Sequence, residues 1–306
     1  MERKKDMKLV TAVVNGESFV GAVPEGETTV IHLRGAERAM SGTETIPASM
    51  LAAIAQGERF LARAQEVVDW ALRQPKPDYV FHLAAVRLLA PIPRPAKNIF
   101  CIGKNYADHA LELGGSAIPE HLIVFTKPPT TVIGHGETIL RHADVTDEVD
   151  YEGELAVVIG KRGRAIGREE ALDYVFGYTI INDVTARDLQ ERHQQYFLGK
   201  SLDTFCPMGP WIVPKSLLPH ANDLRIETRV NGEVRQQAST TQLIFSLEAI
   251  IETISKGITL EPGDVIATGT PAGVGKGMNP PRFLQPGDVV EVTVEGIGTL
   301  RNQVGE

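Results

Sequence analysis

Apolar residues recur along this chain with two different spacings. Leu9, Val10, Ala12, Val13, Val14, Phe19 and Val20 fall in short runs on either side of Asn15-Gly16. An Asn-Gly pair between apolar runs predicts a β-hairpin over residues 8–22, because both residues accept the left-handed backbone of a tight hairpin turn. From Pro47 to Arg73 the spacing becomes helical, with Leu51, Ile54, Leu61, Ala64, Val67, Val68 and Leu72 on one stripe. Pro47 suits the first turn of that helix, where an N–H has no partner to lose. Pro91, Pro93 and Pro95 then stand at alternate positions. Neither a helix nor a central strand runs through such a segment. A boundary is therefore expected near residue 95, with a small N-terminal α/β domain over 1–95 and a larger domain over 96–306.

Beyond the boundary, short apolar runs alternate with turns. Strands are predicted at Asn98–Ile102, Leu122–Thr126, Leu155–Ile159, Tyr178–Ile181, Leu224–Val230, Val265–Thr268 and Val289–Val294. Asn231-Gly232 marks a second hairpin, and the Pro-Gly-Asp-Val runs at 262–265 and 286–289 each set a turn before a strand. Helices are fewer: Tyr106–Leu113, Arg168–Val175, Asp183–Gln194 and Ser246–Ser255. The pattern is α+β and β-dominated.

Composition narrows the function. Of the 306 residues, 42% are hydrophobic, enough for a substantial core. A net charge of −8 argues against nucleic-acid binding, which needs a basic face. No apolar run approaches membrane-spanning length, and polar Asn15 and Glu17 follow the basic start too soon for a signal peptide. Cys101 and Cys206 are the only cysteines, which points to a reducing cytoplasm rather than a disulfide scaffold.

The strongest chemical signal is Asp150-Tyr151-Glu152-Gly153-Glu154-Leu155, running into the apolar Ala156–Ile159. Residues two apart in a strand share a face, so Glu152 and Glu154 lie side by side. Carboxylates that close repel unless one is protonated or a cation lies between them. The alternative is a solvent-facing strand edge that happens to carry two acids. A third acid, Asp183, ends the apolar run Tyr178–Ile181. On its own it reads as a helix N-cap, yet Arg187 and Gln190 follow at i+4 and i+7, on one face of the expected helix. That stripe suits an anionic substrate; Arg187 could equally be an ion-pair partner of Asp183. If the three acids meet, an all-oxygen set selects Mg²⁺, Mn²⁺ or Ca²⁺ over Zn²⁺ and leaves room in the coordination shell for substrate.

Other groups are candidates to work beside the acids. His109 and Glu112 stand one helical turn apart, so the carboxylate can orient the imidazole, unless they are only a surface pair. Gly114-Gly115 behind them makes a helix stop and a hinge. Lys127 and Lys200 sit among small and apolar residues and either hold a substrate oxygen or snorkel to solvent. The glycine-rich run from Thr268 to Gly277 fits neither a phosphate loop nor a dinucleotide fingerprint. It reads as a tight loop bringing backbone N–H groups and Thr270 towards a ligand.

Together these motifs resemble the fumarylacetoacetate hydrolase family over roughly residues 97–304. The resemblance rests on Gly103–His109, Phe125–Pro128, Asp150–Leu155, Asn182–Asp188 with Gln190, Gly199–Ser201 and Thr268–Pro271. The pattern is most similar to shorter members acting as acylpyruvate hydrolases, oxaloacetate decarboxylases or dienedioate isomerases. It implies a mixed β-sandwich roll, a homodimer, and Mg²⁺ or Mn²⁺ held by Glu152, Glu154 and Asp183. It casts His109 and Glu112 as a water-activating dyad on a segment that orders with substrate. Lys200 would be catalytic, supporting the enolate oxygen, and Tyr106, Lys127, Arg187, Gln190 and Thr270 would hold a small 2-oxo acid. Fumarylacetoacetate-cleaving members carry a further aspartate ligand upstream, absent from Phe125–Pro128, which points away from that substrate. The expected activity is metal-dependent C–C cleavage in a β-keto or β-diketo acid. Isomerisation or tautomerisation of a dienedioate, or a non-catalytic dimer that senses a 2-oxo acid, are the alternatives.

Overall fold

A computed structural model describes residues 7–24, 26, 28–75, 77–112 and 118–306. Both Asn-Gly hairpins form as expected. Asn15 and Gly16 (φ 52° and 85°) join Met7–Val14 to Glu17–Pro24. Asn231 and Gly232 (φ 52° and 81°) join Arg225–Val230 to Glu233–Ser239.

The hairpin at the start opens a mixed sheet of twelve strands. From one edge its path runs Val80–His82, Thr29–His32, Glu17–Pro24, Met7–Val14, Cys206–Pro214, Val175–Asn182, Gly153–Ile159, Val265–Ala267, Ile99–Gly103 and Ile123–Lys127. A second sheet has five strands: Glu233–Ser239, Arg225–Val230, Val289–Val294, Gly298–Gly305 and Thr138–Leu140. Both sheets contain antiparallel and parallel pairs. This is the strand-dominated α+β fold with mixed sheets that the sequence pattern predicts.

Two cores cover the large sheet. Leu155, Val157 and Ile159 point into the core shared with the second sheet, alongside Ile226, Val292 and Leu300. Ala156 and Val158 point the other way, into a core with Phe60, Ala64 and Val67. The Gly153–Ile159 strand is thus buried on both faces, which explains its unbroken apolar run. A Cβ on Gly153 would lie 2.2 Å from Thr228 Oγ1 and 2.8 Å from Val292 Cγ1. Only glycine lets the second sheet press this closely on the segment between Glu152 and Glu154.

Several elements depart from the sequence reading. The helix expected over 47–73 is two, Met50–Ala55 and Glu58–Ala71, broken by Gly57 at φ 57°. The segment expected as a helix at Arg168–Val175 is a run of tighter 3₁₀ turns, Arg168–Tyr174. The helix expected at 183–194 starts only at Arg187, because Thr185-Ala186 pairs with Val149-Asp150 as a short ladder. Asp183 therefore lies in the connection after a strand and shares no helical stripe with Arg187 and Gln190. Met7–Val14 pairs with Cys206–Pro214 (Leu9 opposite Ile212), so the sheet continues across residue 95. Among the described residues, no helix is long and apolar enough to cross a membrane.

Candidate active site

The antiparallel register of two central strands brings the acids together. Gly153 lies opposite Asn182, so Asp183, one residue further on, falls beside the glutamates that flank Gly153. Asn182 Oδ1 accepts the Glu152 N–H at 3.0 Å, and the Asp183 N–H donates to Glu152 O at 2.8 Å. Oxygens of Glu152, Glu154 and Asp183 lie within 4.8 Å of one another, and all three residues are buried.

Three buried cations surround them. Lys127 Nζ donates to Asp183 Oδ1 (2.6 Å) and Val184 O (3.0 Å). Lys200 Nζ bridges Glu152 Oε2 (2.7 Å) and Asp183 Oδ2 (2.9 Å). Arg187 reaches Asp150 through Nε (2.8 Å), and Glu152 and Gln190 through Nη1 (2.8 and 3.1 Å). The alternative pairing of Arg187 with Asp183 is thereby corrected: the two lysines hold that aspartate. Glu154 has no cationic side chain on it among the described residues; its Oε2 accepts the Gly269 N–H at 2.7 Å.

The electrostatics follow from this partition. Burial would raise the Glu152 pKa, but Lys200 and then Arg187 outweigh it and hold the carboxyl at about 2. Burial pushes the Glu154 carboxyl well above its usual range, and the Asp183 and Glu152 carboxylates push it further. Burial would lower the Lys200 pKa, yet Asp183 and Glu152 keep its ammonium firmly protonated. Lys127, Arg187 and Lys200 pair with Asp150, Glu152 and Asp183, so of these four carboxyl groups only Glu154 has no cation on it. Ionising Glu154 would leave an excess negative charge there, which is why burial and its two neighbours push it towards the neutral form. A hard divalent cation among oxygen ligands relieves that excess, so the residues present fit the metal the sequence suggests.

The second group is the short helix Ala107–Glu112. His109 Nδ1 lies 3.3 Å from Glu112 Oε2, and Glu112 Oε1 accepts the Gly273 N–H at 2.9 Å. A Cβ on Gly277 would lie 2.2 Å from Glu112, so a glycine there is what lets the acid seat itself on this loop. The loop does present backbone N–H groups, as expected, but to the protein's own carboxylates. Gly269 serves Glu154, Gly273 serves Glu112, and Gly275 and Lys276 serve Asp150. Gly114-Gly115, proposed as a hinge, lies outside the described residues.

His109, Glu152, Arg187, Gln190, Lys200 and Thr270 all line one small cavity of about 30 Å³. Thr270 Oγ1 donates to Gly153 O (3.0 Å) and accepts from Gln236 Nε2 (2.7 Å). Tyr106, Glu112, Lys127, Glu154 and Asp183 do not line this cavity. Of the residues singled out from the sequence, Tyr106 and Arg187 each have a buried donor with no partner among the described residues, the hydroxyl and Nη2. Sequence reasoning missed Asp150, which anchors Arg187, and Lys104 and Tyr196, which line the cavity. Asp150 continues the alternation of 150, 152 and 154, and that was its available signal.

This constellation matches known proteins. Residues 98–305 match the fumarylacetoacetate (FAA) hydrolase C-terminal family. The chain belongs to the fumarylacetoacetate hydrolase family. It is 54% identical to "Oxaloacetate tautomerase YisK" of Bacillus subtilis over 303 residues, which is 98% of this chain and 100% of that protein. Among solved family structures, a fumarylacetoacetate hydrolase from psychrophilic Exiguobacterium antarcticum is 44% identical, with a TM-score of 0.81 over 98% of this chain and 99% of that one. A 2-hydroxyhepta-2,4-diene-1,7-dioate isomerase from Mycobacterium marinum is 34% identical, with a TM-score of 0.73 and 98% coverage of both chains. Membership makes this chain one of a family of enzymes that includes both isomerases and hydrolases.

Proposed function

We propose that this protein is a divalent-metal-dependent enzyme of small 2-oxo diacids, and that it interconverts the keto and enol forms of oxaloacetate. The observation that carries this is the buried trio with its uncompensated Glu154, which reaches through Glu152 a small cavity also lined by His109 and Lys200. The full-length similarity to an oxaloacetate tautomerase supports the choice of substrate and reaction.

Glu152, Glu154 and Asp183 would hold a Mg²⁺ or Mn²⁺ ion, whose chemistry there would be Lewis-acid polarisation of a 2-oxo group. The chain's own residues do the rest. His109, oriented by Glu112, takes a proton from C3 of the keto form, a step for which general-base catalysis contributes about 10²–10⁴ in rate. Lys200 Nζ donates a hydrogen bond to the oxygen where charge develops. Return of that proton from His109 to the oxygen, directly or through a water, completes the enol, and the reverse sequence restores the ketone. Arg187 Nη2, on a residue that lines the cavity, is a buried donor available to a substrate oxygen. A cavity of about 30 Å³ holds only a water or two, so substrate entry requires the Ala107–Glu112 helix or a lining side chain to move.

The second reading is C–C cleavage, either hydrolysis of an acylpyruvate or decarboxylation of oxaloacetate. It is favoured by the His109–Glu112 dyad, which could activate water, and by likeness to a maleylpyruvate hydrolase of Sphingobium (28% identity, TM-score 0.77). A homodimer, a cytoplasmic location and the absence of nucleic-acid or membrane partners belong to the same proposal.

The test follows the ultraviolet absorbance of enol-oxaloacetate with Mg²⁺ or Mn²⁺ while a coupled assay measures pyruvate. Metal-dependent acceleration of keto–enol relaxation without matching pyruvate is the expected result. Relaxation no faster than in buffer sinks the tautomerase reading, and stoichiometric pyruvate replaces it with decarboxylation.

A further inference from the structure

We infer that Lys104 is the binding point for the second carboxylate of the substrate and sets a preference for diacids over monoacids. This rests on the reading of the substrate as a 2-oxo diacid. Lys104 follows the Ile99–Gly103 strand, is half-buried and lines the same cavity as His109, Glu152 and Lys200. Among the described residues, its ammonium has neither an ion pair nor a hydrogen bond. The site's other cations already hold the protein's own carboxylates: Lys127 on Asp183, Lys200 on Glu152 and Asp183, and Arg187 on Asp150 and Glu152. Lys104 is therefore the uncompensated positive charge at this cavity, and partial burial of an unpaired ammonium favours any anion that meets it.

Its backbone gives a second, independent reason. Lys104 has φ 53°, in the left-handed region that side chains other than Gly and Asn seldom occupy. The flanks impose that conformation. Asn105 Nδ2 donates to Thr268 O (2.8 Å) and Phe245 O (3.1 Å), and its Oδ1 accepts the Phe245 N–H (2.8 Å). Ile244 N–H closes the clamp on Asn105 O at 2.8 Å. A residue held this firmly in a strained turn at a cavity wall has the preorganisation expected of a ligand contact. With the 2-oxo acid end directed to the carboxylate trio, the far carboxylate is left for Lys104.

The experiment compares the Mg²⁺-loaded wild type with Lys104→Gln on oxaloacetate and on its 4-ethyl ester, which lacks the second charge. The expected loss in kcat/KM on oxaloacetate is about tenfold or more, carried mainly by KM, with a much smaller change on the ester. Equal losses on both substrates, or none on oxaloacetate, overturn the inference. A loss of diacid preference in Arg187→Lys but not in Lys104→Gln also overturns it, by assigning the carboxylate to Arg187. Lys104→Gly serves as a folding control, because glycine takes φ 53° without strain. It is expected to melt no lower than wild type while losing the same preference. Calorimetric binding of malate against lactate on the same proteins requires no turnover. If wild type turns over neither oxaloacetate substrate, the proposed function fails, and calorimetry still decides Lys104. A preference for malate that Lys104→Gln abolishes supports the inference, and a preference that persists, or is absent from wild type, overturns it.

Discussion

Asp150 accepts the Nε–H of Arg187 at 2.8 Å while it also takes the backbone N–H groups of Gly275 (2.7 Å) and Lys276 (3.0 Å). One buried carboxylate therefore ties the cavity-lining guanidinium to the loop on which Glu112 is seated. Asp150→Asn keeps the shape but removes the charge and turns one acceptor into a donor. Breaking one side of a buried ion pair costs about 3–5 kcal/mol, and urea unfolding is expected to show a loss of that order. Activity should fall further than stability alone explains at temperatures where the variant remains folded. Normal turnover in a folded Asp150→Asn protein would remove Asp150 from this role.

Glu154 is the trio member without a cation, and its substitution separates metal binding from folding. Its folded pKa is raised, so without metal its contribution to stability is present below the ordinary value of 4.5 and is lost as pH rises towards the raised value. Glu154→Gln cannot ionise. In chelator, its stability relative to wild type is expected to improve as pH rises above 4.5. Added Mn²⁺ should stabilise wild type and leave the variant unchanged. Urea midpoints across pH, with and without metal, decide this, and equal metal stabilisation of both proteins would exclude Glu154 as a ligand.

The dyad makes a kinetic prediction. His109→Asn should lower kcat for tautomerisation by about 10²–10⁴, with a smaller effect on KM. Glu112→Gln should act in the same direction but less strongly, because it orients the base rather than exchanging the proton. Any decarboxylation should suffer less than proton transfer in His109→Asn, since loss of CO₂ requires no base at C3. Parallel loss of both reactions would show that His109 has another task.

A structural acid elsewhere gives the opposite pH signature. Glu37 is buried and accepts from Thr45 N, Ile46 N, Thr45 Oγ1 and Arg63 Nε. Burial raises its pKa, but these hydrogen bonds, led by Thr45, outweigh it and lower the carboxyl overall. Its stabilisation is therefore present above the ordinary glutamate value of 4.5 and is lost as pH falls through the depressed one. Glu37→Gln should cost about 2–4 kcal/mol near neutrality, with the gap to wild type narrowing in acid. A gap that stays constant with pH would refute this account.

Local signals were legible where residue chemistry is local. The two Asn-Gly turns, the apolar strand behind Glu152 and Glu154, and the acids themselves could be read directly from the sequence. Elements whose pattern is broken by their tertiary role could not. Cys206–Pro214 carries three prolines, yet it lies inside the sheet. Its ladder with Val175–Asn182 shifts register between Tyr178 and Ile180, near Pro210, which has no N–H to give. Leu33–Ser41 went unread as a helix because Glu37, a charged residue, occupies its buried face. In the site, spacing suggested Arg187 for Asp183, whereas the strand register delivers Lys127 and Lys200 to that acid. Sequence spacing carries no information about partners 56 or 17 residues away.

The pairing of Met7–Val14 with Cys206–Pro214 has a practical consequence for anyone trimming the chain. Starting at residue 96 would retain every residue proposed for chemistry. It would also uncover the backbone edge of Cys206–Pro214 around Ile212, where Leu9 pairs, together with the apolar side chains of Ile181, Met208 and Ile212. Such a bare, greasy border recruits other chains by strand addition. The first 95 residues thus act as a solubility guard for the sheet that carries the carboxylates, and the shortened protein is expected to precipitate rather than survive as a minimal enzyme.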